Sequence, residues 1–338
     1  MAKVTVLMPT YNVEPYVREA VESVLAQTFT DFLLLVMDDH STDGTLDVVR
    51  TIDDPRIRIV QNEKNVGLSE NLNRGIDLID TEYFARMDGD DIAFPHWLRS
   101  EVDYLDSHPE VGVCGGGGQR FGTSQSLIRF PEEHDDIAAN MLFECTTIVP
   151  TVRMDVVRRN NLRYRSDAFP AEDYRFWADC LRVTKLHNIA DTLFRYRMHP
   201  TQICTARRLE QIKRVAEVRH YMLEWLNPDF SEEQKQYHTG AFMAPQIASR
   251  QDYLERKDFC GKLVAKNRST GHFGETALRK SLDRHLTLTL YGTIIERYFH
   301  DGYSPSKYLR YLASGLALRT GRKYESKFLA KSLLGRKA

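Results

Sequence analysis

The sequence predicts an α/β protein with a mainly parallel sheet flanked by helices, followed by a helical C-terminal region. In the first third of the chain, short β-branched and aliphatic runs alternate with segments whose apolar residues recur at helical spacing. Beyond residue 204 only the helical spacing remains. Alternating strands and helices of this kind are typical of βαβ units, whose strands run parallel.

The predicted strands of the first third are short and mostly apolar. They cover residues 4–8, 32–37, 57–60, 83–87 and 111–114. The run from Phe32 to Met37 is apolar throughout, as expected of a strand buried on both faces of a parallel sheet. We expect Pro9 to stop the first strand, because proline cannot donate a ladder hydrogen bond. The four glycines at 115–118 lack the remaining residues of a phosphate-binding loop, so we expect a turn or a sugar-facing loop there.

The predicted helices lie between these strands and then follow one another to the end of the chain. Those of the first third cover residues 14–27, 43–52, 68–79 and 95–107. Further helices are expected at 134–143 and from Glu172, with a strand at 193–198. The C-terminal helices are expected at 204–226, 241–265, 275–296, 305–318 and 322–334.

Composition and charge favour an ordinary globular protein with a basic end. The chain is 42% hydrophobic and 28% charged, and its formal net charge is -1, which does not favour nucleic-acid binding by the whole protein. From Tyr303 to the end, however, nine Lys and Arg residues stand against one acid, Glu325. Leucines at helical spacing accompany these charges, so the basic tail suits either the anionic surface of a membrane or packing on the protein body.

Cysteine usage and hydropathy favour a reducing compartment. The five cysteines are scattered, and no two have the spacing of metal ligands. A predicted strand begins almost at the first residue, and no run of about 18 apolar residues occurs. We therefore expect a cytoplasmic protein without a leader segment, peripheral on the inner face of the membrane if the tail binds it.

Three polar clusters follow predicted strands at the points where those strands end. They are Pro9–Asn12, Asp38–Thr45 and Asp88–Asp91. Because the carboxyl ends of parallel strands form one edge of a sheet, where ligands bind in α/β proteins, we expect the three clusters to lie together.

The acidic cluster Asp88-Gly89-Asp90 is the candidate metal site. Residues two apart in extended backbone project to the same side, and Gly89 lets the chain pass closely around a ligand. Two carboxylates aimed at one point repel each other unless a cation lies between them, and Mg²⁺ or Mn²⁺ with phosphate and water as further ligands would fit. The alternative is a solvated acidic turn before the helix that begins near Pro95.

Taken in order, the motifs of residues 3–200 resemble the family 2 glycosyltransferases of the GT-A fold. The helical C-terminal region has no part in the resemblance. The motifs that carry it are Val4-x-Val-Leu-Met-Pro-Thr-Tyr-Asn12, Gln27-Thr-Phe-x-Asp-Phe32, Met37-Asp-Asp-x-Ser-Thr-Asp-Gly-Thr45, Asn65-x-Gly-Leu-Ser69, Asn73-x-Gly-Ile76 and Met87-Asp-Gly-Asp-Asp91.

The resemblance implies a site for a nucleoside-diphosphate sugar, with UDP expected because Asp39 matches the acid that accepts a hydrogen bond from the uracil imide. It implies that Asp90 is the direct ligand of Mn²⁺ or Mg²⁺, assisted by Asp88, and that Asp91 supports this site or contacts the sugar. The residues expected to bind the nucleotide sugar are Pro9, Thr10, Tyr11, Asn12, Asp39, Asp88 and Gly89.

A second group of residues, later in the chain, matches the family's catalytic and acceptor motifs. Phe169-Pro-Ala-Glu-Asp-Tyr-Arg-Phe-Trp177 resembles the stretch whose Asp is the general base of the inverting enzymes, which places Asp173 in that role; Glu and Asp are also common in the first turn of a helix. His199 in Tyr-Arg-Met-His matches a residue that completes the metal site or contacts the diphosphate. Acceptor or sugar contacts are expected among Glu172, Thr147, Arg153 and Trp177, although Trp177 suits the core and Thr147 and Arg153 could be structural.

The sequence therefore predicts an inverting glycosyltransferase that uses a UDP-sugar and a saccharide or lipid-linked saccharide acceptor, in the synthesis of a cell-surface polysaccharide or glycolipid. Residues 1–203 would form the catalytic domain, with a nucleotide-sugar half at 1–118 and an acceptor half at 119–203, and residues 204–338 a helical region. The alternatives are a sugar nucleotidyltransferase, which should show a Gly-rich N-terminal motif with Arg and Lys, and a non-catalytic nucleotide-sugar binding protein, which should lack the acidic cluster or the base.

Overall fold

The computed structural model describes residues 2–200, 202–227, 229–239, 247–317 and 319–334. By packing, the chain divides into two compact units, one ending at Val218 and one beginning at Arg219. This division falls inside a long helix, and the predicted functional boundary at residue 203 stays a prediction.

The first unit contains nine strands in its described residues and alternates them with helices over its first third. The strands are β1 Val4–Thr10, β2 Phe32–Asp38, β3 Ile57–Gln61, β4 Tyr83–Arg86, β5 Ile92–Ala93, β6 Val111–Gly122, β7 Ser126–Ile128, β8 Thr151–Arg153 and β9 Lys185–Met198. The helices are α1 Glu14–Leu25, α2 Thr45–Arg50, α3 Leu68–Asp77, α4 Trp97–Ser107, α5 His134–Asn140, α6 Met154–Arg159, α7 Glu172–Leu181, α8 Ile203–Ala206 and α9 Arg208–Glu224, which continues into the second unit.

The strands form one mixed sheet in the order β3-β2-β1-β4-β8-β6-β9-β5, with β7 paired to β6. Strands β3, β2, β1 and β4 are parallel, as the alternating pattern predicts, and β9 is parallel to β6. Strand β8 runs antiparallel between β4 and β6, so it joins the two parallel parts. The register aligns Thr10 with Asp38, which brings the ends of β1 and β2 to the same edge.

Burial follows the sheet. Every residue of β1 is buried, and β2 is buried at all positions except Leu33, because helices cover both faces of this parallel part. The expectation that Pro9 ends the first strand was wrong, since β1 continues to Thr10. Pairing with β4 ends at Leu7 and Arg86, so the missing N–H of Pro9 lies beyond the end of that neighbour and costs no ladder bond.

The four glycines at 115–118 lie inside strand β6 and form neither a turn nor a loop, so that expectation was also wrong. Glycine is required there by close packing of neighbouring groups. A Cβ at Gly118 would come within 2.5 Å of the Phe194 ring, and one at Gly117 would lie 2.9 Å from the Asp191 carbonyl oxygen. The glycines therefore let β9 side chains and backbone approach β6 closely.

The second unit is helical in its described residues, as the sequence predicts. Its helices are α10 Glu232–Thr239, α11 Arg250–Thr270, α12 Glu275–Ile294, α13 Pro305–Ala313 and α14 Arg322–Leu333, and a wider π turn at Ile295–Phe299 extends α12. A core of aromatic and aliphatic side chains, including Phe299, Tyr311 and Phe328, holds the C-terminal part together. Residues 241–246 of the predicted helix 241–265, and Arg336 and Lys337 of the basic tail, lie outside the described residues.

Candidate active site

The loops after β1 and β2 are joined by hydrogen bonds through Asn12. Its backbone N–H donates to Ser41 Oγ at 3.0 Å, and its Oδ1 accepts from the Thr42 N–H at 2.8 Å. Asn12 adopts a φ of 52°, in the left-handed region that asparagine tolerates. Because its side-chain oxygen is bonded to the loop after β2, Asn12 holds the two loops of the predicted nucleotide site together.

Asp39 is almost fully buried, with 3% of its surface exposed, and anchors the loop before α3. Its Oδ1 accepts from Asn62 Nδ2 and from the Val66 N–H, both at 2.9 Å, and its Oδ2 accepts from the Gly67 N–H at 2.8 Å. A carboxylate oxygen can accept two hydrogen bonds, so Oδ2 keeps capacity for one further donor.

Of the remaining predicted nucleoside contacts, only Tyr11 is well exposed, at 48%. Pro9 and Thr10 are buried in β1, and the Thr10 hydroxyl donates to Asp38 Oδ1 at 3.2 Å. Gly89 lies against the same strand end, because a Cβ there would come within 2.9 Å of Thr10 Cγ2. The structure thus brings the acidic cluster into contact with the end of β1, as the sequence predicts.

The three acids of the cluster have three different partners. Asp88 faces Arg86, whose Nε and Nη2 donate to its two carboxylate oxygens at 2.9 and 3.3 Å. Asp91 is buried and accepts from the Arg197 N–H at 2.8 Å. Burial raises the pKa of Asp91, and the charges of Asp90 and Asp88 raise it further. Asp91 therefore joins β9 to the cluster, which agrees with the first of its two predicted roles, support of the site, rather than with a sugar contact.

Asp90 faces His199, as the metal prediction requires. Asp90 Oδ2 and His199 Nε2 are 3.0 Å apart, and the imidazole lies against the Tyr16 ring at a centroid distance of 4.7 Å. Adjacent ligands of an octahedral ion, each about 2.1 Å from it, are about 3 Å apart, so this pair fits two positions around a divalent cation. Within the described residues no three acid, His or Cys side chains converge to hold a metal. Asp88 is not a third ligand in this arrangement, because its carboxylate is turned to Arg86.

Helix α7 begins with the two acids of the predicted catalytic segment. Glu172 is buried 3.9 Å from Arg86, whereas Asp173 is only partly buried and lines a cavity. Burial, together with the charge of Asp173, raises the pKa of Glu172 to about 7 despite the opposing effect of Arg86. Burial also raises the pKa of Asp173, against the lowering by Arg86 and by the Tyr174 N–H, which donates to Asp173 Oδ1 at 2.6 Å.

The cavity next to these acids has a volume of about 320 Å³, within the range of small-molecule sites. Asp88 and Asp173 both line it, so the structure brings the acidic cluster and the predicted base to one space although 85 positions separate them. Its other lining residues are Arg86, Arg120, Ile128, Ile148, Val149, Trp177, Tyr196, Met198, Cys204 and Gln211.

Three predicted acceptor contacts have packing roles. Thr147 is fully buried, and its hydroxyl donates to Asn188 Oδ1 at 2.8 Å. Arg153 pairs with Tyr83 at the start of β4, away from Asp88, and its guanidinium donates to the Leu105 and Val111 carbonyl oxygens. Thr147 and Arg153 thus have the structural roles that the sequence left open as the alternative to acceptor contacts. Trp177 is buried against Phe176 and also forms part of the cavity wall, consistent with its expected place in the core.

Sequence reasoning missed Arg86 and Arg120, which both line the cavity. The position of Arg86 could have been predicted, because it precedes Asp88 by two residues and side chains two apart in an extended chain lie on the same side. The position of Arg120 could not, since it follows the glycine run that was expected to leave the sheet.

Comparison with known proteins finds glycosyltransferases. Residues 5–169 match the profile of the family described as Glycosyl transferase family 2. An uncharacterized glycosyltransferase of Haemophilus influenzae is 34% identical over 226 residues, which are 62% of this chain and 69% of that protein. The poly(ribitol-phosphate) beta-N-acetylglucosaminyltransferase TarP of Staphylococcus aureus is 28% identical over 198 residues, 56% of this chain and 60% of TarP.

Solved structures show the same fold. Staphylococcus aureus TarS 1-349 in complex with UDP-GlcNAc matches with a TM-score of 0.56 and 19% identity over 97% of this chain and 92% of that one. The mannosyltransferase PcManGT of Pyrobaculum calidifontis, in complex with GDP-Man and Mn²⁺, matches with a TM-score of 0.53 and 17% identity over 98% and 85%. The predicted GT-A fold is confirmed by these matches, and with the Haemophilus relative matched over more than two thirds of its length, the chain belongs to glycosyltransferase family 2 and is a glycosyltransferase.

Proposed function

We propose that the protein transfers a sugar from a UDP-sugar to a saccharide acceptor with inversion at the anomeric carbon. The observation that carries the proposal is the shared cavity, which places Asp173 in the same space as Asp88 at the carboxyl end of β4. Asp39, with one free acceptor position, is suited to bind the uracil imide. The similarity to a structure that holds UDP-GlcNAc supports a UDP-sugar donor.

Asp173 would act as the general base. In an inverting transfer one carboxylate takes the proton of the acceptor hydroxyl while that oxygen attacks opposite the leaving diphosphate. Asp173 fits this role better than Glu172, because Asp173 is partly exposed to the cavity and Glu172 is buried beside Arg86.

Asp90 and His199 would hold a divalent cation, Mn²⁺ or Mg²⁺. When bound there, the ion would neutralise negative charge on the departing diphosphate. The 3.0 Å distance between Asp90 Oδ2 and His199 Nε2 supports this assignment, and the Mn²⁺ in the similar mannosyltransferase structure is consistent with it. The described residues would supply these two ligands, and the other positions would be taken by water and phosphate oxygens.

For the acceptor, we propose a saccharide of a cell-surface polymer or a lipid-linked saccharide. The similarity to TarP, named for its action on poly(ribitol-phosphate), supports a polymer acceptor. Of the predicted acceptor or sugar contacts, Trp177 lines the cavity and offers an aromatic wall, and the proposed base Asp173 adds a hydrogen-bond acceptor there.

A panel of nucleotide sugars tests the proposal. We expect one or more UDP-sugars, and no GDP- or CMP-sugar at a comparable rate, to release nucleotide in the presence of Mn²⁺ or Mg²⁺, and chelation to abolish the release. Preference for GDP-sugars would overturn the donor assignment, and full activity in excess chelator would overturn the metal assignment.

The described C-terminal helices support a peripheral membrane site, which we also propose. Leu309 and Leu333 expose 65% and 69% of their surface, and Leu312, Leu329 and Leu334 are exposed as well. The one acid of the tail, Glu325, is buried and accepts from the Tyr311 and Thr320 hydroxyls. The described surface of residues 303–334 is thus basic and apolar, which suits an anionic bilayer on the cytoplasmic side. Leu316, another of the leucines at helical spacing, is instead buried. None of the helices in the described part of the chain combines the length and apolar character needed to cross a bilayer.

A further inference from the structure

Arg86, at the end of β4, is a buried arginine within the active-site cavity. It donates two hydrogen bonds to Asp88, from Nε at 2.9 Å and from Nη2 at 3.3 Å. A paired geometry of this kind fixes a carboxylate more firmly than a single bond does. The guanidinium therefore sets the direction of Asp88 at the donor side of the cavity.

The same guanidinium also faces helix α7, which carries the proposed base. Its Nη2 lies 3.9 Å from Glu172 Oε1, and its central carbon lies 5.5 Å from the centre of the Tyr164 ring. Tyr164 in turn stacks on Phe176 of α7 at 4.2 Å. Arg86 thus lies between the acidic cluster and the helix that bears Asp173.

The positive charge of Arg86 offsets the negative charges of the acids around it. Asp88, Glu172 and Asp173 are three acids around one buried cation, and two of them are adjacent in sequence. Although burial alone would lower the pKa of Arg86, Asp88 and the neighbouring acids raise it well above its usual value, so the guanidinium stays charged. A buried acid cluster without its cation would take up protons, because like charges in a desolvated site disfavour ionisation.

We propose that Arg86 is a positioning residue that couples the two ends of the reaction: it orients Asp88 beside the leaving diphosphate and keeps Asp173 ionised to receive the acceptor proton. The inference rests on the proposed function, in which Asp173 is the base. It adds that Asp88 and Asp173 both depend on Arg86, because the same cation lies beside both carboxylates.

Charged and titratable groups face Asp173 from several elements of the first unit. Arg86 and Asp88 face it from β4 and its end, Glu172 precedes it on α7, and the Cys145 thiol and Tyr164 hydroxyl interact with it from the intervening segments. Arg120 of β6 lines the same cavity and is kept in every variant. Removal of Arg86 takes away the cation that is hydrogen-bonded to Asp88, so it should shift the titration of Asp173 in one direction, upward.

The test is the pH dependence of nucleotide release from the UDP-sugar that the wild type turns over fastest, measured for Arg86→Met and Arg86→Lys. A neighbouring cation lowers the pKa of a carboxyl by about one to three units, so the acidic limb of the Arg86→Met profile should move up by about one unit or more. Arg86→Lys keeps the charge and should move the limb by less than half of that shift. Arg159→Met, which removes an exposed ion pair with Asp155, serves as the matched control and should leave the limb in place.

Thermal unfolding of each variant shows whether it is folded, and Arg86→Gln replaces Arg86→Met if the latter does not fold. An uncharged variant that is folded and keeps the wild-type acidic limb, or loses activity equally at every pH, overturns the role of Arg86. Asp173→Asn separates the two proposals. If Asp173→Asn stays active, the base assignment and the inference both fail, whereas an inactive Asp173→Asn beside an unshifted Arg86→Met profile overturns the inference alone.

Discussion

At the scale of single residues, the acids of the site differ by their partners far more than by their positions. Asp88 faces a guanidinium, Asp90 an imidazole and Asp91 a backbone N–H, although the three lie within four residues. The sequence predicts that acids gather here, and the family resemblance implies that Asp90 is the metal ligand. It does not show which acid is buried, because that depends on β9, more than a hundred positions away.

The pH dependence of stability should report the burial of Glu172. Burial raises the pKa of Glu172 to about 7 in the folded protein, so Glu172 holds a proton that the unfolded chain releases near the ordinary pKa of a glutamate, 4.5. The native state therefore binds more protons between these values, and stability falls as the pH rises through that window. We expect Glu172→Gln to weaken this fall, measured as the difference in Tm between about pH 5 and about pH 8. An unchanged difference would contradict the burial of an acid at this position.

Metal affinity should depend on His199. Removing one of the two ligands that the described residues offer to the proposed metal should weaken the apparent Mn²⁺ affinity by about tenfold or more, as replacement of supporting residues alone costs about 10- to 100-fold in other sites. The measurement is nucleotide release as a function of Mn²⁺ concentration for His199→Ala, with His300→Ala, an exposed histidine of the second unit, as control. Equal Mn²⁺ dependence of both variants would remove His199 from the site.

At the scale of elements, periodicity predicts the parallel strands and their helices well, because β1, β2 and α3 are formed by local patterns that tertiary packing reinforces. It fails at β6, where glycine normally weakens a strand. There the reason for glycine is the space taken by Leu193 and Phe194 of β9. No local pattern contains this information, so the length of β6 and the place of Arg120 could not be predicted from the sequence.

Substitution of Gly118 should destabilise the first unit. Its Cβ would meet the Phe194 ring at 2.5 Å, and overpacking of a core costs about 1–3 kcal/mol. Gly261 in helix α11 is a matched control, since nothing lies within 4 Å of its Cβ position and alanine favours a helix by about 0.5–1 kcal/mol over glycine. Urea unfolding of Gly118→Ala and Gly261→Ala should give opposite signs. A neutral Gly118→Ala would mean that β9 does not pack on β6 as described.

At the scale of the whole molecule, the sequence shows that the C-terminal tail is basic, and the structure shows which acids and leucines of the described tail are buried or exposed. Burial of Glu325 and exposure of Leu309 and Leu333 leave a basic and apolar surface on α13 and α14. The helical pattern alone could not separate exposed leucines from Leu316, which is buried in the core of this unit.

Vesicle binding should follow from that surface. We expect the protein to co-sediment with phosphatidylserine-containing vesicles and much less with phosphatidylcholine alone, since each basic residue near an anionic surface contributes about 1 kcal/mol. Leu309→Glu together with Leu333→Glu should abolish binding, whereas Leu127→Glu, an exposed leucine of the first unit, should not. Equal sedimentation of the double variant would contradict the membrane site.

The central claim is that Asp173 takes the acceptor proton in a UDP-sugar-dependent transfer. The most direct test is nucleotide release by wild type and Asp173→Asn with the same UDP-sugar, alongside calorimetric binding of UDP to both. We expect Asp173→Asn to bind UDP like the wild type and to turn over at least about a hundredfold more slowly, the usual effect of losing a general base. Turnover within a few-fold of wild type, with UDP binding intact, would contradict the claim.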